Sequence, residues 1–573
     1  MQLTTATRRG SPLDAMHPPV LKSPPEREAG SHEVAWMSNS SARLTLWTSL
    51  VVVAIACAPA LVTGQARRGV GSGNVASSRR IPRTVGGRPD LQGIWQARSR
   101  ASYDLQDHSS RVGMPAAVSA VVEGAIPYQP WAAAQQRQNF QNRTTADPLA
   151  QCYMPGVPRI MYMEWPFQIF QTPDHVAITF EWQQLYRLIY TNGTAPPEGL
   201  EFWLGDSRGH WEGDVLVVDV GNHNDRTWFD MAGNFHSEAL HVVERYTMLD
   251  ANSIQYEAQI QDAKVFTRPW TIRVLLERQT QQPRLMEYPC RAELEEANGD
   301  FEADPRTWYR GPESTPVAAP AGATATAPRP PATTTRVRRP DLSGLYLPDR
   351  SAGANWGLEP HPAQEGLTPA GTGVLVDPAD HRLPYQPWAK QEQVSRNRPE
   401  RGYDDPTAHC FMGAGVPRSM YVPSPFHVVQ TPGYVVFLFE RVAWRIVPLD
   451  GRAHLPDTIR LWNGDSVGHW DGDTLVIETT NLNGKTWLNE VGDVVSHAQT
   501  VVERLTRVSA TTLRYEATVT DPVVYTRPWT IALDLNRQPD QLLEAACLED
   551  NQDLQHLKDL RDAARQKAAG DKR

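Results

Sequence analysis

The residues best suited to acid–base or metal chemistry lie in one short segment. His236, Glu238 and His241 fall within Gly-Asn-Phe-His-Ser-Glu-Ala-Leu-His (233–241), and Glu244 follows closely. Imidazole and carboxylate groups bind zinc or non-haem iron, and they also act as general acids and bases. A five-residue step places two side chains on opposite faces of a strand, so His236 and His241 would converge only in a loop. We take His236, His241 and Glu244 as candidate catalytic residues and assign no metal ligands; solvated loop histidines are the simpler alternative.

A second set of side chains suits the binding of a small molecule. An arginine can clamp an anionic group, and the many Trp and Tyr residues suit an apolar pocket as well as an ordinary core. Arg159 and Glu244 could lie together at one barrel mouth. In the structural alternative, Asp residues cap turns, and Glu and Arg on neighbouring strands form ion pairs at a rim. The candidate ligand-binding residues are Trp95, Arg159, Arg187, His210, Trp228 and Arg268.

The segment that must position these residues occurs twice. Gly205–Arg245 returns as Gly464–Arg504 with a constant shift of 259 positions, and both copies contain Gly-Asp-Ser-x-Gly-His-Trp and Val-Val-Glu-Arg. A unit of this length that recurs once indicates a duplicated domain, since solenoid repeats are roughly 20–50 residues long. The copies differ where residues 236–241 correspond to residues 495–500. Function is therefore expected first in repeat 1.

Period-two alternation of apolar and polar residues predicts antiparallel strands in both repeats. The clearest examples are residues 254–261 and 513–520, and Gly-containing turns near 213 and 472 predict hairpins. Residues 167–170, 176–180 and 185–190 are further candidate strands. Helical spacing is scarce outside the tail leucines 554, 557 and 560. The sequence predicts an all-β protein with two tandem antiparallel β-barrels, or else sandwiches.

The start of the chain predicts export. Residues 1–36 are polar and without periodicity, so we interpret them as a non-native upstream extension and Met37 as the start. Residues 37–60 contain Arg43, an apolar run at 44–56 and small residues at 58 and 60, the arrangement of a signal peptide. The run is shorter than the roughly 20 residues that span a bilayer. A membrane anchor and a lipoprotein modified at Cys57 are the alternatives to a periplasmic or secreted protein without a membrane span.

The domain boundaries follow composition and the matching cysteines. Residues 61–88 form a flexible spacer, 89–305 repeat 1, 306–339 a Pro/Ala/Thr-rich linker, 340–550 repeat 2 and 551–573 a charged helical tail. Cysteines at matching positions in an exported chain predict the disulfides Cys152–Cys290 and Cys410–Cys547. Four buried free thiols are the alternative. The net charge of −9 and the absence of a basic stripe in the repeats argue against a nucleic-acid partner.

Two resemblances add expectations. Gly93-x-Trp95 resembles the opening signature of the lipocalin (calycin) family, which implies that Trp95 closes a barrel floor and that a basic residue, Arg268 or Arg527 in repeat 2, covers it. Nearly the whole mature chain resembles a widespread group of exported bacterial proteins without an established activity. The matching motifs are Pro-Asp-Leu-x-Gly, Pro-Tyr-Gln-Pro-Trp-Ala, Gly-Val-Pro-Arg, Gly-Asp-Ser-x-Gly-His-Trp and Thr-Arg-Pro-Trp.

Common catalytic motifs are missing from the sequence. It contains no His-Glu-x-x-His, Cys-x-x-Cys or Walker loop, which excludes the standard zincins, redox thiols and P-loop NTPases. We therefore expect a tandem β-barrel protein that binds a small, largely apolar or aromatic ligand. The alternatives are a periplasmic hydrolase, lyase or isomerase that uses the His/Glu site of repeat 1, and a cell-envelope interaction module. The sequence identifies no cofactor and leaves open whether the protein is an enzyme.

Overall fold

The structure, a computed structural model, describes residues 81–299, 301, 339–363, 369–411, 414–441, 443–549 and 551–570. These residues belong to one compact unit, Val70–Arg573. The predicted upstream extension, the signal peptide with Cys57, residues 61–80 of the spacer and nearly all of the linker lie outside the described residues.

Repeat 1 forms a closed barrel of nine strands in sequential order. Neighbouring strands are antiparallel except the fourth and the fifth, which pair in parallel at the single position Tyr190–Arg208. The first strand closes the barrel because it pairs with both the second and the ninth. The strands are β1 Gly93–Ala97, β2 Phe167–Gln171, β3 His175–Phe180, β4 Tyr186–Tyr190, β5 Asp206–Glu212, β6 Val215–Gly221, β7 His241–Asp250, β8 Ser253–Gln261 and β9 Trp270–Arg278.

Repeat 2 forms a nearly closed barrel of the same design. The strands are β10 Gly344–Pro348, β11 Leu375–Asp377, β12 Phe426–Thr431, β13 Tyr434–Phe439, β14 Ala443–Pro448, β15 Asp465–Asp471, β16 Thr474–Thr480, β17 Thr500–Arg507, β18 Thr512–Thr520 and β19 Trp529–Gln538. The order in the sheet is β14-β13-β12-β10-β19-β18-β17-β16-β15, with β11 attached to β19, so the barrel stays unpaired between β14 and β15. The prediction of an all-β protein with two tandem barrels is thus confirmed, while a lipocalin-like assignment stays a prediction.

The helices lie outside the barrels. The α-helices are α1 Pro130–Ala146, α2 Cys290–Asn298, α3 Pro387–Arg396 and α4 Gln552–Gly570; the 3₁₀ turns are Pro148–Gln151, Arg159–Tyr162, Arg350–Ala352, Pro399–Asp404 and Arg418–Met420. The tail helix was predicted, whereas α1 and α3 were not. Proline presets the first turn of both helices, but α1 buries only Ala132 and so shows no apolar stripe.

Strand alternation fills the barrel interiors with side chains. On β8, Ile254, Tyr256, Ala258 and Ile260 are completely buried and face the core, while the residues between them face outward. Their neighbours on β6, β7 and β9 belong to the same apolar cluster. The corresponding strands of repeat 2 form a second cluster. The barrels are therefore packed cores, as period-two burial requires.

The two barrels pack against each other through equivalent outer faces. The shared apolar cluster contains residues from β1–β4 and from β10 and β12–β14. Tyr186 donates its hydroxyl hydrogen to the Phe439 carbonyl (2.9 Å), and Trp444, at the matching position of repeat 2, donates Nε1–H to the Phe180 carbonyl (2.8 Å). Because the same contacts occur in both directions, the repeats are related by an approximate two-fold axis.

The segments after the last strands are exchanged between the barrels. We call residues 279–289 and 539–546 the arms. The Glu287 carboxylate accepts N–H bonds from Trp462 (2.5 Å) and Asn463 (3.1 Å) of repeat 2. The Glu544 carboxylate accepts the equivalent bonds from Trp203 (2.7 Å) and Leu204 (3.0 Å) of repeat 1. Burial raises the pKa of both carboxyls to about 7, against the opposing effect of the N–H bonds.

Each arm leads to a cysteine that returns it to its own repeat. The disulfides Cys152–Cys290 and Cys410–Cys547 confirm the predicted pairing. Because each arm crosses to the other barrel before its disulfide brings it back, the two repeats are interlocked.

Candidate functional site

The three candidate catalytic residues do not converge. His236 is buried before β7; its Nδ1 faces the Ser237 carbonyl (2.9 Å) and therefore carries the proton, while Nε2 accepts from the Thr227 hydroxyl (2.7 Å). Burial lowers the pKa of His236. His241 lies on the outer face of β7, with Nε2 at 3.5 Å from an Asp219 oxygen and 44% of its side chain exposed. Glu244 is three positions further along the strand and points into the barrel.

Glu244 belongs to a buried polar cluster instead. Arg187 on β4 donates from Nη1 and Nη2 to the two Glu244 oxygens (3.0 and 2.7 Å), and Tyr256 donates to the same carboxylate at 2.6 Å. Arg187 also donates to the Ser207 hydroxyl on β5 (2.9 Å), across the weakly paired side of the barrel. Burial alone would lower the pKa of Arg187, but the Glu244 charge raises it above its ordinary value. The ion pair that was predicted at a rim lies inside the barrel.

Repeat 2 contains the same buried pair. Arg445 on β14 contacts Glu503 on β17, and Tyr515 donates its hydroxyl hydrogen to that carboxylate at 2.8 Å. Thr479 bonds to Arg445 at 2.8 Å. Since the cluster occurs in both copies, it belongs to the common barrel framework rather than to a function particular to repeat 1.

Arg159 does not share a barrel mouth with Glu244. Its guanidinium donates two bonds of 2.8 Å to Asp147, and both side chains are buried. Arg418 and Asp405 repeat this pair in the second copy. Burial alone would lower the pKa of Arg159, but the charge of the neighbouring Asp147 raises that pKa above its ordinary value. The partner of Arg159 is therefore Asp147, in the loop that follows α1. The 3₁₀ turn that carries Arg159 comes soon after this loop in the chain.

Trp95 is buried in the core of the first barrel, but Arg268 does not cover it. The Trp95 indole is fully buried and donates to the Leu91 carbonyl at 2.8 Å. Arg278, whose register position on β9 is opposite Trp95, places its Cζ 4.2 Å from the indole centroid. A side chain on Gly93 would meet the same guanidinium, which explains the glycine. The predicted role of Arg268 is wrong because that residue lies in the exposed turn before β9.

The remaining predicted ligand-binding residues lie elsewhere. His210 is on the outer face of β5, half-exposed, 3.4 Å from Glu212 and 4.0 Å from Asp219. Trp228 is partly exposed in a turn that pairs with Phe235. The predicted set is thus divided between a barrel interior, an outer sheet face and three turns, and it forms no single pocket.

A second buried histidine, His223, to which the sequence analysis assigned no role, lies beside His236. The His223 ring centroid lies 5.9 Å from that of His236, and burial holds the pKa of His223 well below its usual value. The corresponding residue of repeat 2 is the buried Leu482, and that of His236 is Val495. Repeat 1 therefore places two neutral imidazoles where repeat 2 places two aliphatic side chains. Comparison of the two copies at these positions would have identified His223.

A large cleft lies on the outside of the first barrel. It has a volume of about 840 Å³ and lies between residues 96–100, residues 116–120 and the end of β9. Ala97, Ala117, Val118 and Leu275 form its apolar wall. No sequence pattern indicates this cleft, because its residues, Glu164 among them, come from four separate segments.

Charged side chains surround this cleft. Arg98 contacts Glu277 at 2.7 Å, and Arg100 contacts Glu164. Arg273 also faces the cleft and pairs with Glu257 outside it. The lining therefore contains three guanidinium groups and two carboxylates beside the apolar wall.

The described part of the chain holds no group of three His, Cys, Asp or Glu residues placed to bind a metal ion. Within the same residues, no helix combines the length and the apolar character needed to cross a membrane. Comparisons of the chain with protein-family models, with curated proteins and with solved structures found no match in any of the three.

Proposed function

We propose that the protein is an exported small-molecule-binding protein and that its main site is the cleft of repeat 1. The observation that carries the proposal is the cleft volume of about 840 Å³, because small-molecule sites are typically about 300–1,000 Å³. The barrel interiors are occupied by their own buried side chains. A ligand site on the outside of the barrel is therefore better supported than one inside it.

The lining favours a molecule with an apolar body and an anionic group. Arg98 and Arg100 are exposed, and each is paired with a glutamate only at the surface. Surface ion pairs of this kind contribute about 0–1 kcal/mol. A ligand carboxylate or phosphate can replace such a partner and gain a bidentate contact with an arginine. The apolar part of the ligand would then lie against Ala117, Val118 and Leu275.

Export is supported by the two disulfides. Each repeat contains one, and disulfides persist mainly in oxidising compartments. The family resemblance and the signal peptide remain part of this proposal.

Calorimetry with octanoate tests the binding site. We expect octanoate to bind the wild-type protein and Ala116→Trp, which places an indole in the cleft lining, to weaken that binding. Arg100→Ala should weaken it by about five- to tenfold, the equivalent of about 1–1.4 kcal/mol for one charge-assisted hydrogen bond. Ala239→Trp, at an exposed site outside the cleft lining, is the matched control. Unchanged octanoate binding in Ala116→Trp, or none in the wild type, would contradict the proposal.

A further inference from the structure

A second pocket lies in repeat 2 beside the disulfide Cys410–Cys547. It encloses about 70 Å³ and opens to solvent. Phe411, Phe439 and Ala443 supply apolar walls, and Ser419 and Ser424 supply hydroxyl groups. The exposed side chains of Arg441 and Glu490 stand at its mouth. This pocket is separate from the cleft of repeat 1 and shares no residue with it.

Repeat 1 fills the corresponding place with three aromatic rings. The ring centroids of Trp165 and Trp182 are 4.5 Å apart, and Tyr288 packs at 4.9 Å from Trp165 and 5.3 Å from Trp182. Such stacks contribute packing energy beyond their buried area. In repeat 1 this part of the fold is thus occupied by the side chains of the chain itself.

Repeat 2 has lost all three rings. Counted from the shared Arg159/Arg418, Phe180/Phe439 and Cys290/Cys547, the three aromatic residues correspond to Ser424, Arg441 and Ala545. The arm keeps this backbone contact, because Tyr288 donates its N–H to the Glu181 carbonyl (3.2 Å) as Ala545 donates its N–H to the Glu440 carbonyl (3.3 Å), although the turn after Arg441 is one residue shorter than the turn after Trp182. The pocket therefore lies where repeat 1 holds the three rings.

The floor of the pocket carries a polar group in need of a partner. Ser419 replaces Ile160 of repeat 1 and is only 7% exposed. Its hydroxyl has no hydrogen-bond partner among the described residues and is closed to solvent, so a ligand donor reaches it once the side chains around it shift. A buried polar group without a partner costs free energy, which a ligand atom at hydrogen-bond distance would recover.

We propose that this pocket binds a small aromatic molecule. The ring enters the place that repeat 1 fills with tryptophan and tyrosine, and an N–H or O–H on the ring donates to the Ser419 hydroxyl. The enclosed volume is smaller than a bicyclic ring, so the outer edge of the ring stays at the mouth. There the planar guanidinium of Arg441 can stack on it, as arginines do on aromatic faces.

Indole and indene test this assignment, since the two molecules have nearly the same shape but only indole carries an N–H group. We expect saturation-transfer NMR and calorimetry on the full chain to show binding of both, with indole about fivefold tighter, as one hydrogen bond implies. Ser419→Ala should remove the difference between them. Ser424→Trp, which restores the side chain of repeat 1, should abolish binding of both.

Further variants separate the pocket from other effects. Ala545→Tyr closes the pocket independently if Ser424→Trp fails to fold, and Ser509→Trp, in an exposed turn, should leave indole binding unchanged. Ala116→Trp should leave it unchanged as well, so failure of the cleft and failure of this pocket are distinguishable. The absence of indole binding, equal binding by the Ser424→Trp and wild-type proteins, or a persistent preference for indole in Ser419→Ala would each overturn the proposal.

Discussion

The buried pair of Arg187 and Glu244 leads to a prediction with opposite outcomes for single and double substitutions. Glu244 is completely buried and accepts bonds from both Arg187 nitrogens and from Tyr256. Glu244→Leu leaves the Arg187 charge buried with only the Ser207 and Tyr246 hydroxyls as partners. Removal of one partner from such a pair typically costs about 3–5 kcal/mol, because the other charge stays desolvated.

The double variant Arg187→Met/Glu244→Leu removes both charges. Burying two neutral side chains of similar volume avoids the desolvation penalty, so we expect its free energy of unfolding to lie within about 1 kcal/mol of the wild type or above it. Arg187→Met alone should cost about as much as Glu244→Leu, because in each variant the remaining charge keeps two hydroxyl partners.

Urea unfolding followed by near-ultraviolet circular dichroism measures these differences. The matched series at Arg445 and Glu503 should give the same order in repeat 2. The reasoning is refuted if the double variant loses as much as the two single variants together, since the pair would then stabilise the barrel by direct attraction. A loss below about 1 kcal/mol for Glu244→Leu would show that the interior is accessible to water.

Three further predictions follow from buried groups and from the arms. His223→Leu, which copies Leu482, should gain stability over the wild type as pH falls below 6.5, by up to about 1.4 kcal/mol per pH unit, because only the unfolded chain then binds the proton; a gain that is independent of pH in urea unfolding would contradict this. Glu544→Ala removes the carboxylate that accepts two N–H bonds from repeat 1, so it should lower the free energy of unfolding by about 2–3 kcal/mol. The exposed control Asp540→Ala should leave it unchanged. Replacing Cys152 and Cys290 by serine should cost about 2–5 kcal/mol, and a reductant should then lower the melting temperature of this variant less than that of the wild type.

Local patterns were sufficient to predict the strands and the duplication. The alternation at residues 254–261 is a property of neighbouring positions, and it appears in the structure as β8. The disulfides were predictable because matching cysteine positions restrict the pairing. Helix α1 was missed because its polar sequence carries no apolar stripe, and its proline start alone is a weak signal.

The site could not be predicted in the same way, since it depends on which segments meet. Arg187 and Glu244 are 57 positions apart and become partners only because the barrel closes. The cleft is formed by four segments that share no motif. The pocket of repeat 2 does have a signal in the sequence, because Trp165 and Trp182 correspond to Ser424 and Arg441 in the second copy. Such exchanges of large for small residues between duplicated domains indicate where space has opened.

Because the arms are exchanged, the chain is organised like two subunits of a dimer that have been fused into one polypeptide. A protein made of a single such repeat would have to give its arm to a second copy, and so would form a domain-swapped homodimer whose stability depended on concentration. Joining two copies in one chain makes the exchange intramolecular, so the interlocked state persists at any dilution. It also frees each copy to change independently. One half lacks the aromatic cluster, and the other half has two histidines in its core. In a symmetric homodimer, each of these differences would have to be present in both subunits.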